Sequence, residues 1–156
     1  MADQGVRIRE TTPEDLPLVL RHRRGMFEDM GHRDAGSLDA MEAASRPFFE
    51  RALREGHYRG FFAVDEGGRV RAGGGVVLLE YQPHPTDPRP RRPFIVNMYT
   101  EPDHRRRGLA RRLLEAMIGW CRQEGYAVVF LHASDAGRPL YEELGFRATN
   151  EMRLRL

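Results

Sequence analysis

Apolar residues follow two different spacings, and the spacing changes from segment to segment along the chain. Short runs rich in β-branched and aromatic residues predict strands at 6–9, 58–65, 70–81, 94–100 and 127–132, with a last strand pair at 146–156. Apolar residues at helical spacing predict helices from 13 to near 31, at 37–54, at 109–122, and a short one through Tyr141. The second half of the chain therefore alternates strand, helix, strand, helix and strand.

Two stretches rich in glycine or proline interrupt this pattern. Gly73, Gly74 and Gly75 lie within a predicted strand, and a strand rather than a helix follows them. Two interpretations are therefore better than a phosphate loop: a β-bulge, or a stretch without side chains that lets another group approach the main chain closely. The segment 82–93 holds five prolines, and we expect an irregular, stiff and exposed loop there, of the kind that often sets substrate choice.

Length and composition limit the classes of protein to consider. The 156 residues have the size of one domain, so we expect a single domain over 1–156. The N-terminal residues lack an apolar run and no stretch is apolar enough to cross a bilayer, so we expect a cytoplasmic protein without membrane contact. All 25 basic residues are arginine, but 23 carboxylates reduce the net charge to +2, which gives no global charge argument for nucleic-acid binding.

Cysteine and histidine usage points away from redox and metal chemistry. The single cysteine, Cys121, lies on an apolar helix stripe, and we interpret it as a small core residue. The six histidines show neither the paired spacing of metal ligands nor a cysteine partner. We therefore predict no metal site.

The segment 94–122 carries the strongest chemical signal. A strand ends at Thr100, a turn with Pro102 follows, and a helix begins after Gly108 with one apolar stripe: Leu109, Leu113, Leu114, Met117, Ile118 and Cys121. The first turn of a helix offers unbonded N–H groups and a positive dipole end, and Gly108 lets a ligand approach the main chain. Three consecutive arginines, 105–107, add positive potential, so the expected occupant is a phosphate or pyrophosphate. The alternative is an arginine-rich, solvated helix start.

This segment resembles the coenzyme A signature of the GNAT superfamily of N-acetyltransferases, with Arg105, Gly108 and Ala110 at the fixed positions. The stretch 140–146 resembles the family's later motif, a helix with a tyrosine that ends in glycine and phenylalanine. The order of predicted elements is also similar to that of a GNAT domain. The resemblance implies an α/β fold of the GNAT acyl-CoA N-acyltransferase type, with a mixed central sheet of six to seven strands and about four helices.

The resemblance also implies which residues bind acetyl-coenzyme A (acetyl-CoA). The main chain at the helix start would hold the pyrophosphate, and the edge of the fourth strand would pair with the pantetheine amides and donate an N–H to the thioester oxygen. Ser134 stands where the family commonly has an asparagine that touches the cofactor, and Gly137 where it commonly has alanine. The implied cofactor-binding residues are Met98, Tyr99, Thr100, Arg105, Arg106, Arg107, Gly108, Leu109, Ala110, Arg111 and Ser134.

Tyr141 resembles the general acid of the family, which protonates the departing thiolate; the alternative is a core tyrosine. The attacking amine must lose a proton, but where several family members carry an acid in the fourth strand this chain has Asn97, which can orient an acceptor and cannot act as a base. Glu28, Asp29 and His132 are the remaining candidates on the acceptor side, each with the alternative of a solvated acid or a satisfied histidine. An acidic patch that includes Glu28 and Asp29 favours a cationic acceptor.

The function implied by the resemblance is transfer of the acetyl group of acetyl-CoA to a primary amine by direct attack, on a small-molecule or peptide acceptor. Family habit and the apolar last strand favour a homodimer. One alternative is a non-catalytic acyl-CoA binding or regulatory GNAT module, which the effect of Tyr141→Phe on turnover would distinguish. Another is an arginine-rich nucleic-acid binder, which predicts steeply salt-dependent binding to DNA and no effect of coenzyme A.

Overall fold

The computed structural model describes residues 5–156, and residues 1–4 lie outside the described part. The strands are β1 Arg7–Glu10, β2 Tyr58–Val64, β3 Val70–Glu80, β4 Arg91–Thr100 and β5 Phe130–Leu131. The helices are α1 Leu16–Asp29, α2 Ala35–Glu55, α3 Leu109–Gln123 and α4 Arg138–Glu143, with short 3-10 turns at Pro13–Asp15 and Pro102–His104. The four predicted helices are confirmed, with boundaries that differ by a few residues.

The five strands form one sheet in the order β1-β2-β3-β4-β5. The first four strands pair antiparallel, and β5 pairs parallel to β4 through Phe94 with Phe130 and Ile95 with Leu131. The mixed sheet confirms the predicted fold class. It has five strands in the described residues, fewer than the six to seven expected.

The two missing strands are those predicted at 146–156, and that prediction is wrong. Met152, Leu154 and Leu156 alternate as strand residues do, but all three are exposed and the segment has no regular structure. The predicted strand at 127–132 is also shorter, since only Phe130–Leu131 pairs with a neighbour. An alternating pattern yields a strand only where another strand supplies the partners of its hydrogen bonds.

The predicted irregular segment at 82–93 ends earlier than expected, because β4 begins at Arg91 and includes Pro93. Pro93 lies opposite Leu78, whose N–H donates to His57 O at 2.8 Å and so points away from β4. The two residues are therefore a non-hydrogen-bonded pair, and the N–H that proline lacks would lie on the far edge of β4. The pairing of β5 with that edge begins at Phe94, after the proline, so no hydrogen bond between the strands is lost.

The sheet separates two hydrophobic cores. On one face α3 buries its predicted stripe, with Leu109, Leu113, Leu114, Met117 and Cys121 buried and Ile118 half-buried. On the other face Leu20 of α1 and Phe49 of α2 pack with Tyr58 and Phe62 of β2. Burial raises the pKa of the Cys121 thiol to about 11, which agrees with its interpretation as a core residue.

The ladder between β3 and β4 is irregular at the glycine run. The register shifts between Gly73 and Gly75, so that two residues of β4, Asn97 and Met98, face the single residue Gly74. This is a bulge in β4, and Asn97 adopts the left-handed conformation with φ +60°. The bulge that the sequence predicts here is confirmed, with its extra residue on the partner strand.

The same glycines also allow side chains to approach the backbone closely. A Cβ on Gly75 would overlap the ring of Tyr58, and a Cβ on Gly74 would overlap the sulfur of Met98. Asn97 hydrogen-bonds toward α1 and β2, whereas Met98 packs against the α3 core. Asn97 and Met98 therefore keep the alternation of a regular strand, and their side chains point to opposite faces of the sheet at the bulge.

Candidate active site

The chain adopts left-handed backbone twice in the turn that leads into α3. Arg106 has φ +61° and Gly108 has φ +81°, and the Arg107 guanidinium braces the turn by donating to Asp103 O at 2.9 Å. Left-handed residues in such a turn direct successive N–H groups toward one point, and the first helical turn adds N–H groups without a partner in the helix. A Cβ on Gly108 would meet no atom within 4 Å. The turn is therefore an open, electropositive cradle that suits an anion such as a phosphate.

Two of the predicted arginines fasten this turn to neighbouring elements. Arg105 donates through Nε to Thr100 O at 3.0 Å and pairs through Nη2 with Asp29 of α1 at 2.7 Å. Arg111 pairs with Glu143 of α4. The structure thus brings the predicted cofactor arginines to one place, and the two acids offset part of their charge.

The sheet opens next to this turn. Parallel pairing between β4 and β5 stops after Ile95, so the edge of β4 from residue 96 to residue 100 has no strand partner on that side within the described residues. The predicted residues Met98, Tyr99 and Thr100 lie on this edge, which ends at the α3 turn. An extended ligand with amide groups can pair with such an edge as an added strand does.

Tyr141 of α4 borders a cavity beside β5. The cavity has a volume of about 330 Å³, and its lining includes Phe94, His132, Ala133 and Tyr141. The phenol ring is half-buried and packs edge-on against Phe146, with ring centroids 6.0 Å apart. Burial raises the pKa of Tyr141, so its hydroxyl keeps its proton at neutral pH.

A buried polar cluster lies on the α1 and α2 side of the bulge. Asn97 is 2% exposed, accepts a hydrogen bond from Arg23 Nη1 at 2.9 Å and donates to the Tyr58 hydroxyl at 3.3 Å. Burial raises the pKa of Tyr58 to about 12, so it is a neutral partner. Sequence reasoning identified Asn97 and missed Arg23 and Tyr58, for which no local pattern gave a signal.

The other predicted acceptor-side residues are already engaged. Glu28 pairs with Arg24 at 3.1 Å and Asp29 with Arg105, so the expected acidic patch consists of neutralised pairs. The side chain of His132 is 64% exposed and lies 3.5 Å from Glu151. None of the three is brought into the buried cluster around Asn97.

His22 of α1 is a buried group that sequence reasoning also missed. It is 1% exposed, lies against Tyr99 with ring centroids 5.0 Å apart, and neither ring nitrogen has a hydrogen-bond partner in the described part of the chain. Burial lowers its pKa to about 4, so the ring is neutral. Its spacing of three residues from the buried Val19 was the available signal that position 22 faces the core.

Comparison with known proteins decides the family. Residues 24–146 match the Acetyltransferase (GNAT) family. The crystal structure of a GCN5-related N-acetyltransferase from Ralstonia eutropha is 37% identical and superposes with a TM-score of 0.90, covering 97% of this chain and 99% of that one. The chain belongs to the GNAT acetyltransferase family.

Two further solved structures share the fold of this chain. A predicted acetyltransferase with acetyl-CoA from Clostridium acetobutylicum is 26% identical, with a TM-score of 0.85 over 97% of this chain and 95% of that one. A glucosamine-6-phosphate N-acetyltransferase from Arabidopsis thaliana, 17% identical with a TM-score of 0.68 over 97% of each chain, shares the fold. None of the curated proteins matches the chain.

GNAT membership places the chain among acetyltransferases that use acetyl-CoA, and the α3 turn and open β4 edge fit that molecule's pyrophosphate and amides. Ser134 and Gly137, two of the departures from the family's pattern, lie in the turn that precedes α4. Ser134 Oγ accepts the N–H of Gly137 at 3.2 Å and so closes the turn that precedes α4. A Cβ on Gly137 would lie 2.8 Å from Cε2 of Tyr141, so glycine gives the tyrosine ring its space.

The described residues of this GNAT domain lack two features. Between residues 5 and 156, no group of three or more His, Cys, Asp or Glu side chains could hold a metal ion. Within the same residues, no helix has the length and apolar character needed to span a membrane.

Proposed function

We propose that this GNAT protein transfers the acetyl group of acetyl-CoA to a primary amine by direct attack, with Tyr141 as the general acid. The observation that carries the proposal is the left-handed turn at Arg106 and Gly108, which opens toward solvent at the end of an unpaired strand edge. The half-buried Tyr141 packs against the same core as Met98 of that edge.

Acetyl-CoA supplies an activated thioester when it is bound. The N–H groups of the α3 turn would hold its pyrophosphate, and the main chain of residues 98–100 would pair with its amides. An N–H of this edge would also donate to the carbonyl oxygen on which negative charge develops. These donors are main-chain groups fixed by the sheet and the helix, so they need no rearrangement during the reaction.

Tyr141 provides the proton that the leaving group needs. In the proposed step the amine nitrogen bonds to the carbonyl carbon and loses a proton to water, the C–S bond breaks as the departing sulfur takes the Tyr141 proton, and solvent then returns a proton to Tyr141, which leaves an amide and the free thiol. The pKa of Tyr141 is raised by burial and lies above the thiol pKa of about 8.5, so Tyr141 keeps its proton until charge develops on the sulfur and transfers it in concert with C–S cleavage. A positioned general acid contributes about 10²- to 10⁴-fold in rate.

The test begins with calorimetric titration of acetyl-CoA into the wild type and two glycine variants. Gly108→Glu places a carboxylate in the phosphate cradle. Gly68→Glu is the matched control, because Gly68 also has a left-handed φ, of +79°, and open space around it, but lies in the β2–β3 hairpin turn. We expect binding by the wild type and Gly68→Glu and loss of binding in Gly108→Glu.

Thiol release in the presence of primary amines then separates an enzyme from a binding module. Tyr141→Phe should lower turnover by about 10²-fold or more while it keeps the acetyl-CoA affinity. A wild type that binds no acetyl-CoA would overturn the proposal. Equal turnover by wild type and Tyr141→Phe would remove Tyr141 from the mechanism.

A further inference from the structure

Arg23 of α1 is a partly buried cation that forms an ion pair with no carboxylate among residues 5–156. Its neighbours differ in this respect: Arg21 pairs with Glu101, and Arg105 pairs with Asp29. The acids around the acceptor side therefore already have partners. Arg23 thus carries a positive charge for which the described residues supply no counter-ion.

Neutral groups hold the Arg23 guanidinium in place. Nε donates to Ser45 Oγ at 3.2 Å and Nη1 donates to Asn97 Oδ1 at 2.9 Å. The rings of Phe27 and Phe49 lie 5.0 and 5.4 Å from the guanidinium carbon. These contacts fix the orientation of the guanidinium without neutralising it.

One end of the guanidinium is left available. Nη2 of Arg23 has no hydrogen-bond partner in the described part of the chain, and it is not among the atoms that are shut off from solvent. A guanidinium whose other nitrogens are held in place presents its free N–H donors in a geometry suited to a carboxylate or phosphate. Burial lowers the pKa of Arg23, and a bound anion would offset that cost of desolvation.

The position of Arg23 connects this donor to the reaction. Its partner Asn97 is the bulged residue of β4 and directly precedes the edge at residues 98–100, where the thioester is proposed to lie. An anion on Arg23 and an amine at that edge could therefore belong to one small molecule. We infer that the acceptor amine carries a carboxylate or phosphate group and that Arg23 binds it.

This inference rests on the proposed function, because it names the class of acceptor for the same reaction. It replaces the cationic acceptor that Glu28 and Asp29 suggested from the sequence. Both of those carboxylates are paired, with Arg24 and Arg105, and so offer no free negative charge to a second cation.

The test compares amines in matched pairs that differ by the anionic group. β-Alanine is compared with propylamine, and O-phosphoethanolamine with ethanolamine, by the kcat/KM for thiol release from acetyl-CoA. A hydrogen-bonded charge pair predicts a preference of about 10- to 100-fold for the anionic member. The pair with the larger anionic-to-neutral ratio of kcat/KM shows whether the acceptor carries a carboxylate or a phosphate.

Three variants assign the preference to Arg23. Arg23→Met should bring the anionic-to-neutral ratio close to one, and Arg23→Lys, which keeps the charge, should retain part of it. Arg46→Met is the control and should keep the wild-type ratio, because Arg46 is an exposed arginine beside Ser45 on α2. A ratio measured within one variant is unaffected by a loss of folded protein.

Each other outcome contradicts the inference. A wild-type ratio near or below one overturns the anionic acceptor, and an unchanged ratio in Arg23→Met overturns the role of Arg23. If acetyl-CoA binds but no anionic amine is acetylated, the inference fails while the acetyl-CoA site stands. If acetyl-CoA does not bind, the proposed function itself has failed.

Discussion

Gly75 of β3 lacks a side chain where the ring of Tyr58 packs, on the acceptor side of the site. The ring of Tyr58 occupies the place where a Cβ on Gly75 would lie. Tyr58 in turn accepts a hydrogen bond from Asn97 at 3.3 Å, and Asn97 accepts one from Arg23 at 2.9 Å. The absence of one methyl group in β3 therefore permits a chain of contacts that reaches α1.

Gly75→Ala should destabilise the protein by about 1–3 kcal/mol, because the added methyl group overlaps a fully buried ring. Urea unfolding measures the effect. Gly119→Ala is the control: Gly119 lies in α3 with no atom within 4 Å of the added Cβ, so alanine should stabilise by about 0.5–1 kcal/mol. A Gly75→Ala variant as stable as the wild type would show that Tyr58 can move at little cost.

The pH dependence of turnover follows from the two groups that exchange protons. The amine must be neutral to attack, and with a pKa of about 10.4 its neutral fraction rises about tenfold per pH unit below that value. Tyr141 must be protonated, and burial raises its pKa, so the acid form persists to above about pH 10. We expect kcat/KM to rise from about pH 6 to about pH 9 without a falling limb. A decline centred below about pH 9 would contradict Tyr141 as the acid.

The residues of the site differ in how far sequence could reveal them. Arg105, Gly108 and Tyr141 belong to short motifs, since one turn or one helix supplies everything that makes them recognisable. The contacts of Asn97 instead join residues 39 and 74 positions apart in the chain. No local pattern encodes which distant side chain will meet Asn97, and for that reason Tyr58 and Arg23 were missed.

The start of α1 illustrates how one side chain joins two elements. The Asp15 carboxylate accepts the Thr12 N–H at 2.8 Å, and both oxygens accept from Arg9 of β1, at 2.7 and 2.8 Å. The sequence predicted a helix start here from Thr12, Pro13 and the following acids, but not the link to β1. The hydrogen bond from Arg9 lowers the pKa of Asp15, so the carboxylate form stabilises the fold.

Asp15→Asn should cost about 1–2 kcal/mol at neutral pH, because the variant loses a charged partner and part of the cap. The folded pKa of Asp15 lies below the unfolded value of about 3.9, so its stabilisation is present above about pH 4 and is lost as pH falls through the folded pKa. The difference in unfolding free energy between wild type and variant should therefore shrink toward about pH 2. Urea unfolding of wild type and Asp15→Asn from neutral pH to about pH 2 measures this difference, and Glu50→Gln, at an exposed residue, is the control. A difference that stays constant would contradict the ion pair.

Helices and strands were predicted with different success for a physical reason. α3 makes its backbone hydrogen bonds within itself, so an apolar stripe over consecutive residues is enough to identify it. The segment 146–156 has an alternating pattern and ended in a wrong prediction, because a strand needs a neighbour that the pattern does not specify. The same argument applies to β5, where only the two residues that meet β4 are paired.

At the scale of the whole molecule, Asp87 joins the proline-rich loop to the body of the domain. It is 3% exposed, its Oδ2 lies 3.3 Å from Arg92 Nη1, and its Oδ1 lies 3.2 Å from Arg89 Nε. Arg89 also donates to Glu124 O at 3.0 Å, beyond the end of α3. The loop between β3 and β4 is thus fastened to the segment that leads into β5, which keeps β5 beside β4 at the edge of the site.

Asp87→Asn should loosen this connection, because it leaves the guanidinium of Arg92, which is 2% exposed, without its described counter-ion. We expect a lower Tm and faster cleavage by trypsin after the exposed Arg91, which stands at the boundary between the loop and β4. Since Arg89 lowers the pKa of Asp87, the wild type should lose this stabilisation as pH falls through that pKa.

Asp135→Asn, at an exposed acid, is the matched control. If Asp87→Asn melts and is cleaved as the wild type is, then the contacts of Asp87 do not hold the loop, and the position of β5 must depend on the apolar stacking of Phe94 on Phe130.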